Sequence, residues 1–172
     1  MVAAALTDHA VEIAPGVQRV GAPDPHLRRF DIILKTANGT SYNSYVVRGE
    51  NGVAIIDTVK ENFADDFFRR LESVARYDEI TTIVLNHLEP DHSGALPELL
   101  KRAPQAKVYL SSRAQMMLKA LLKPSGGKPP EYIPVTTDDT VDLGGRTLRF
   151  LHTPYLHWPD TECTYLVEDG LL

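Results

Sequence analysis

The run Asn86-His87-Leu88-Glu89-Pro90-Asp91-His92 places two imidazoles and two carboxylates within six residues of a 172-residue chain. Each of these side chains can donate an electron pair to a metal ion. With no thiolate among them, the donor set suits zinc, iron or manganese and disfavours iron–sulfur clusters and copper(I). Four such donors are too many for one closed site, but they suit ligands shared between two ions. The bland alternative is a solvated polar loop in which Asp91 or Ser93 caps a helix. A single Asp would serve that purpose, and two histidines would have no part in it. A second cluster, His152-Thr153-Pro154-Tyr155-Leu156-His157-Trp158-Pro159-Asp160, follows later. In it His157 stands out, held between Pro154 and Pro159. His152 reads as a packed or surface histidine at a strand end, and Asp160 as an ordinary turn residue.

Convergent ligands need rigid elements on either side. Ile80–Leu85, directly before the first cluster, is a continuous apolar run and reads as a buried strand. Pro90 predicts a non-helical loop after it, with side chains fanning outward. Ser93 then caps a short helix through Leu100. Val53–Ile56, ending at Asp57, is a strand buried on both faces, and Lys107–Leu110 is a third of this kind. Phe63, Phe67, Leu71 and Val74 recur at helical spacing, which predicts an amphipathic helix over Phe63–Ala75. Ser111 or Ser112 caps another helix to about Leu122, with Ala114, Met117, Leu118 and Leu121 on one face.

Val17–Gly21 and the stretch from Phe30 to Arg48 read as short strands, with Asn38-Gly39 as a turn. Lys123–Pro134 is rich in proline and glycine and reads as a loop that could close over a site. Thr140–Leu143 and Thr147–Leu151 flank Gly144-Gly145 as a hairpin, and Thr164–Val167 is the last strand before the turn Glu168-Asp169-Gly170. Strands, then strand–helix alternation, then strands again predict an α/β layered domain with mixed sheets.

Composition narrows the function classes. Apolar residues are 43% and charged residues 24%, as in an ordinary folded domain, so residues 1–172 are read as a single domain. Lys plus Arg is 18 against 23 for Asp plus Glu, a formal charge of −5, which argues against a nucleic-acid or anionic-membrane partner. No stretch approaches the ~18 consecutive apolar residues of a membrane span. Met1–Leu6 lacks the basic segment of a signal peptide. The single cysteine, Cys163, cannot form an intrachain disulfide, so a reducing cytoplasm is the expected compartment.

Four segments, Gly39–Val47 (GTSYNSYVV), Ala54–Val59 (AIIDTV), Asn86–Leu99 (NHLEPDHSGALPEL) and Leu156–Leu166 (LHWPDTECTYL), span nearly the whole chain. In this order they resemble the metallo-β-lactamase fold and, within it, the flavodiiron proteins. Hydrolases of the fold usually carry His-x-His-x-Asp-His where this chain has His87-x-Glu89-x-Asp91-His92. The resemblance implies an αββα sandwich with mixed sheets and a non-haem site for two iron ions. His87, Glu89 and His157 stand at iron-ligand positions, and Asp91 at a ligand position of the second iron. His92 matches a position that coordinates in some members and stands aside in others. Asp57 matches the aspartate at the end of a strand that orients ligands.

The family reduces dioxygen to water, nitric oxide to nitrous oxide, or both. Its electrons come from FMN in a flavodoxin-like domain, and head-to-tail homodimers bring one subunit's FMN to the other's irons. Glu89 suits that chemistry, because a hard, negative oxygen donor stabilises ferric iron. The metal ligands are then the catalytic residues. The family's bridging aspartate and final histidine are expected beyond Leu172, as is the flavodoxin-like domain. On this reading the sequence is a piece of a longer protein, incomplete at its C-terminal end, with little turnover alone and an open sheet edge. Two alternatives share the fold: a zinc hydrolase acting through metal-activated water, and a non-catalytic diiron sensor of oxygen or nitric oxide.

Overall fold

The computed structural model describes residues 9–30, 32–121 and 130–172. The chain opens with β1 (Val11–Ala14), β2 (Val17–Arg19), β3 (Ala22–Asp24), β4 (Arg29–Phe30), β5 (Leu34–Lys35), β6 (Thr40–Tyr42), β7 (Tyr45–Arg48) and β8 (Val53–Ile56). Helix α1 (Ala64–Glu72), strand β9 (Ile80–Leu85), helices α2 (Pro90–Ser93) and α3 (Leu96–Arg102), strand β10 (Lys107–Ser111) and helix α4 (Ser112–Leu121) follow. Strands β11 (Tyr132–Val135), β12 (Thr140–Asp142), β13 (Thr147–His152) and β14 (Glu162–Leu166) complete it.

Seven strands form one mixed sheet in the order β1-β2-β7-β8-β9-β10-β11, and β12-β13-β14 form a second, antiparallel sheet. Strands β8, β9, β10 and β11 run parallel, and their alternate side chains feed two separate cores. Ile55, Ile83, Leu85, Val108 and Leu110 point to the side of Phe67, Leu71, Leu96, Leu99, Ala114 and Leu118. Ala54, Ile56 and Val84 face the other way, onto Leu148, Phe150 and Leu166 of the second sheet. Each such Leu, Ile or Phe contributes about 1.5–3 kcal/mol on burial. The result is helix, sheet, sheet. Among the described residues no helix covers the outer face of the second sheet, so three layers of the αββα order are present.

Several sequence expectations are corrected. Val11–Ala14 adds a strand beyond those expected, joined to β2 through Pro15 and Gly16 at φ 70°. Asn38-Gly39 leads from β5 into β6, but these strands pair with β4 and β3, so the turn closes no hairpin of its own. Pro134 lies inside a strand. Because β11 is the edge of the large sheet, its missing N–H costs no ladder bond to an outer neighbour. The expected loop over Lys123–Pro134 therefore ends earlier, and residues 122–129 lie outside the described part. Pro90 begins a helical turn: at the first position of α2 its N–H is not needed and its φ is already helical. Ser93 is the last residue of that turn and caps no helix; its hydroxyl donates to the carbonyls of Leu88 and Glu89.

Candidate metal centre

Strand β9 delivers the first cluster at the edge where the two sheets meet. The Asn86 backbone N–H donates to Asp57 Oδ1 at 2.8 Å, its carbonyl accepts from the Glu162 N–H at 2.9 Å, and its side chain accepts from the Thr164 hydroxyl at 2.7 Å. One residue thus pins the end of β9 to β8 on one side and to β14 on the other. The short helix α2 is anchored in turn. Both the N–H and the hydroxyl of Thr58 donate to the His92 carbonyl at 2.7 Å, and the Ala95 N–H donates to Val59. Gly94 makes this approach possible: a Cβ there would lie 2.5 Å from the Glu61 nitrogen and 2.6 Å from the Pro90 carbonyl oxygen.

His87, Glu89 and His157 converge. Their ligand atoms all lie within 4.8 Å of one another. Glu89 Oε2 is 3.1 Å from His87 Nε2 and 2.8 Å from His157 Nε2, so one carboxylate oxygen faces two imidazole nitrogens. Burial alone would raise the Glu89 pKa, but the hydrogen bonds to His157 and His87 outweigh it and hold the carboxyl below its ordinary value. Asp91 and His92 form a second pair, with 3.7 Å between Asp91 Oδ2 and His92 Nε2. The two groups are neighbours, since the His87 and His92 rings lie 5.3 Å apart.

The two loop histidines are held alike. His87 Nδ1 lies 3.0 Å from Asp160 Oδ2, and His92 Nδ1 lies 3.1 Å from Asp57 Oδ2. With Nδ1 held by a carboxylate, Nε2 is the nitrogen each ring presents to Glu89 or Asp91, and it is the one a metal would take in exchange for its proton. Burial disfavours a charged His92. The hydrogen bond to Asp57, with the charges of Asp57, Asp91 and Glu89, overcomes that and pushes its pKa up to about 9.

Asp160 is not the ordinary turn residue that its place after Pro159 predicts. It is fully buried, and its carboxylate also accepts from the Leu88 N–H at 2.9 Å. Glu162 is a second buried acid that no motif announces. It is 2% exposed on the inward face of β14, and burial, then the charges of Asp57 and Asp160, push its carboxyl up to about 8. One signal was available: Glu162 shares the strand face of buried Leu166, and an acid at an inward position invites a question. His152, at the end of β13, stays outside the cluster. Cys163 contacts the Thr153 hydroxyl at 3.7 Å.

Helices on a mixed sheet, a second sheet behind it and a His–carboxylate cluster where the sheets meet define a metallo-β-lactamase-like domain. Residues 40–172 match the model of the family described as ODP family beta lactamase, and the chain belongs to that family. It is 63% identical over 162 residues to the type A flavoprotein fprA of Rhodobacter capsulatus, covering 94% of this chain and 37% of that protein. It is 38% identical to an anaerobic nitric oxide reductase flavorubredoxin of Pectobacterium carotovorum, covering 95% of this chain and 32% of the relative. The structure superimposes on rubredoxin oxygen:oxidoreductase from Desulfovibrio gigas with a TM-score of 0.85 at 32% identity, over 93% of this chain and 39% of that one. The chain thus spans less than two fifths of each of these proteins. Among the described residues, no helix is long and apolar enough to cross a membrane.

Proposed function

We propose that this domain holds two iron ions and forms the diiron half of an oxidoreductase that reduces dioxygen to water, nitric oxide to nitrous oxide, or both. The observation that carries the reading is Glu89 Oε2 set between the Nε2 atoms of His87 and His157. The donors fit iron: imidazole nitrogens and hard carboxylate oxygens, no thiolate, and Nδ1 protons tied back to Asp160 and Asp57. His87, Glu89 and His157 would hold one ion, and Asp91 with His92 would contribute to the second. Iron bound there would supply electrons to a small diatomic ligand. The protein's own part is to fix the tautomers of His87 and His92, to keep Glu89 ionised, and to set Trp158 beside the site, its ring 6.0 Å from that of His87 and 6.1 Å from that of His157.

The names of the relatives support both substrates, one being a nitric oxide reductase and another an oxygen oxidoreductase. With this reading come FMN on a flavodoxin-like domain as electron source, a head-to-tail homodimer and a cytoplasmic location. Metal analysis tests it. The chain, purified without oxygen from cells supplied with both iron and zinc, is expected to carry iron in excess. Zinc without iron would overturn the proposal in favour of a metal-activated-water hydrolase.

A further inference from the structure

His157 reaches the site on a loop that its own sequence does not favour. Residues 153–161, between β13 and β14, place Tyr155 at φ 66° and His157 at φ 142°, conformations that cost a non-glycine residue about 1–3 kcal/mol each. The loop has short-range bonds of its own, Tyr155 N–H to the Trp158 carbonyl and Leu156 N–H to that of Thr153. Tyr155 and Leu156 are each 69% exposed, so packing does little to hold it. Beyond a 3.7 Å contact of the Thr153 hydroxyl with Cys163 on β14, its side chains reach the ligand loop and the start of α4.

There the Ser111 hydroxyl, fully buried, donates to the Asp160 carbonyl at 2.8 Å and accepts the Ala114 N–H at 3.1 Å. It caps α4 and grips the loop in the same stroke. Two residues on, the Arg113 guanidinium donates to the Tyr155 hydroxyl at 3.2 Å and sits 5.6 Å from the ring centroid. The loop is therefore fastened on both sides of His157. Asp160 in turn fixes His87 and Leu88. A continuous buried path runs from the helix cap to a ligand, Ser111 to Asp160 to His87.

We propose that Ser111 and Arg113 are positioning residues, a clamp through which the first turn of α4 sets His157 and His87 in ligating geometry. The proposal deepens the metal reading above and rests on it for affinity, but the loop can also be tested without metal. The full chain, free of metal, is titrated with Co(II), read by visible absorption and by the emission of Trp158, the sole tryptophan. Hydrogen exchange at amides 153–161 is measured on the metal-free chain.

Ser111→Ala is expected to weaken Co(II) binding about tenfold and to speed exchange across the loop. Ser111→Thr, which keeps the hydroxyl, restores both. Arg113→Met weakens binding about threefold, as loss of one exposed hydrogen bond would. Ile80→Val, a core truncation away from the site, lowers the melting temperature and leaves affinity and loop exchange unchanged. The clamp is overturned if Ser111→Ala matches the unaltered chain in both readouts, or if Ile80→Val weakens binding as much. Should the unaltered chain take up no Co(II), the metal reading falls, and loop exchange in Ser111→Ala still decides the clamp.

Discussion

Asp160 and His87 stand seventy-three positions apart and meet at 3.0 Å, carboxylate to Nδ1, with both side chains buried. The same carboxylate oxygen takes the Leu88 N–H. The pair ties the loop after β13 to the loop after β9 and leaves Nε2 as the His87 nitrogen that faces Glu89.

Removing that carboxylate should cost metal affinity more than fold. Asp160→Ala leaves the Leu88 N–H and His87 Nδ1 without a partner and is expected to weaken Co(II) binding 10–100-fold. The buried amide left unpaired adds a loss of about 1–3 kcal/mol of stability. Asp160→Asn can keep both bonds through its carbonyl oxygen but not the charge, and should fall between. Isothermal titration of both variants checks the order, and unaltered affinity in Asp160→Ala would remove Asp160 from the site.

Glu89 is expected to set the choice of metal. Glu89→His replaces a hard anionic oxygen by a neutral nitrogen, the donor found in the zinc hydrolases of the fold. In competition between Fe(II) and Zn(II) the variant is expected to shift toward zinc and to lose any reduction of oxygen or nitric oxide. Full reductase activity in that variant would show that the carboxylate has another purpose.

Glu162 should make the metal-free chain less stable as pH rises. Its folded pKa, about 8, lies above the ordinary carboxyl value of 4.5, so between these pH values the folded chain keeps a proton that the unfolded chain releases. Its contribution is fully present below pH 4.5 and is lost through pH 8, at about 1.4 kcal/mol per pH unit. His92, raised to about 9 from 6.5, adds a loss in the same direction over its own window. Glu162→Gln removes the first contribution. Urea melts from pH 5 to 8 should therefore show a shallower slope in the variant, and identical slopes would contradict the burial assigned to this carboxyl.

Gly94 is where the α2 turn meets the strand-end loop after β8. A Cβ at this position would strike backbone atoms of Glu61, Pro90 and Val59, none of which can swing aside. Gly94→Ala is expected to lower the melting temperature and to loosen metal binding, because α2 carries Asp91 and His92. A variant that melts and binds like the unaltered chain would mean that this contact yields easily.

Much of this was legible in the residues themselves. The apolar runs of β8, β9 and β10 announced strands buried on both faces, and the 3.6-residue spacing of Phe63, Phe67 and Leu71 announced α1. Both periods are local consequences of which face meets the core, so a single segment suffices to see them. The ligand run from His87 to His92 was equally visible, because its donors are neighbours in the chain. Pro90 misled for a local reason: the same ring that breaks a helix interior is favoured at its first position, and only the conformation of Glu89 before it tells the two apart.

By itself, then, the sequence determined the donor types, the strands that present them and the class of chemistry they suit. Tertiary structure decided the rest: that Asp160 is no turn residue but the partner of His87, that Ser111 reaches past its own helix to the Asp160 carbonyl, and that Glu162 is shut away beside two other acids. Each depends on where β14 and its loop lie against β9 and β10. That placement follows from packing two sheets across Ala54, Val84, Leu148 and Phe150, a sum over distant contacts that no local period records.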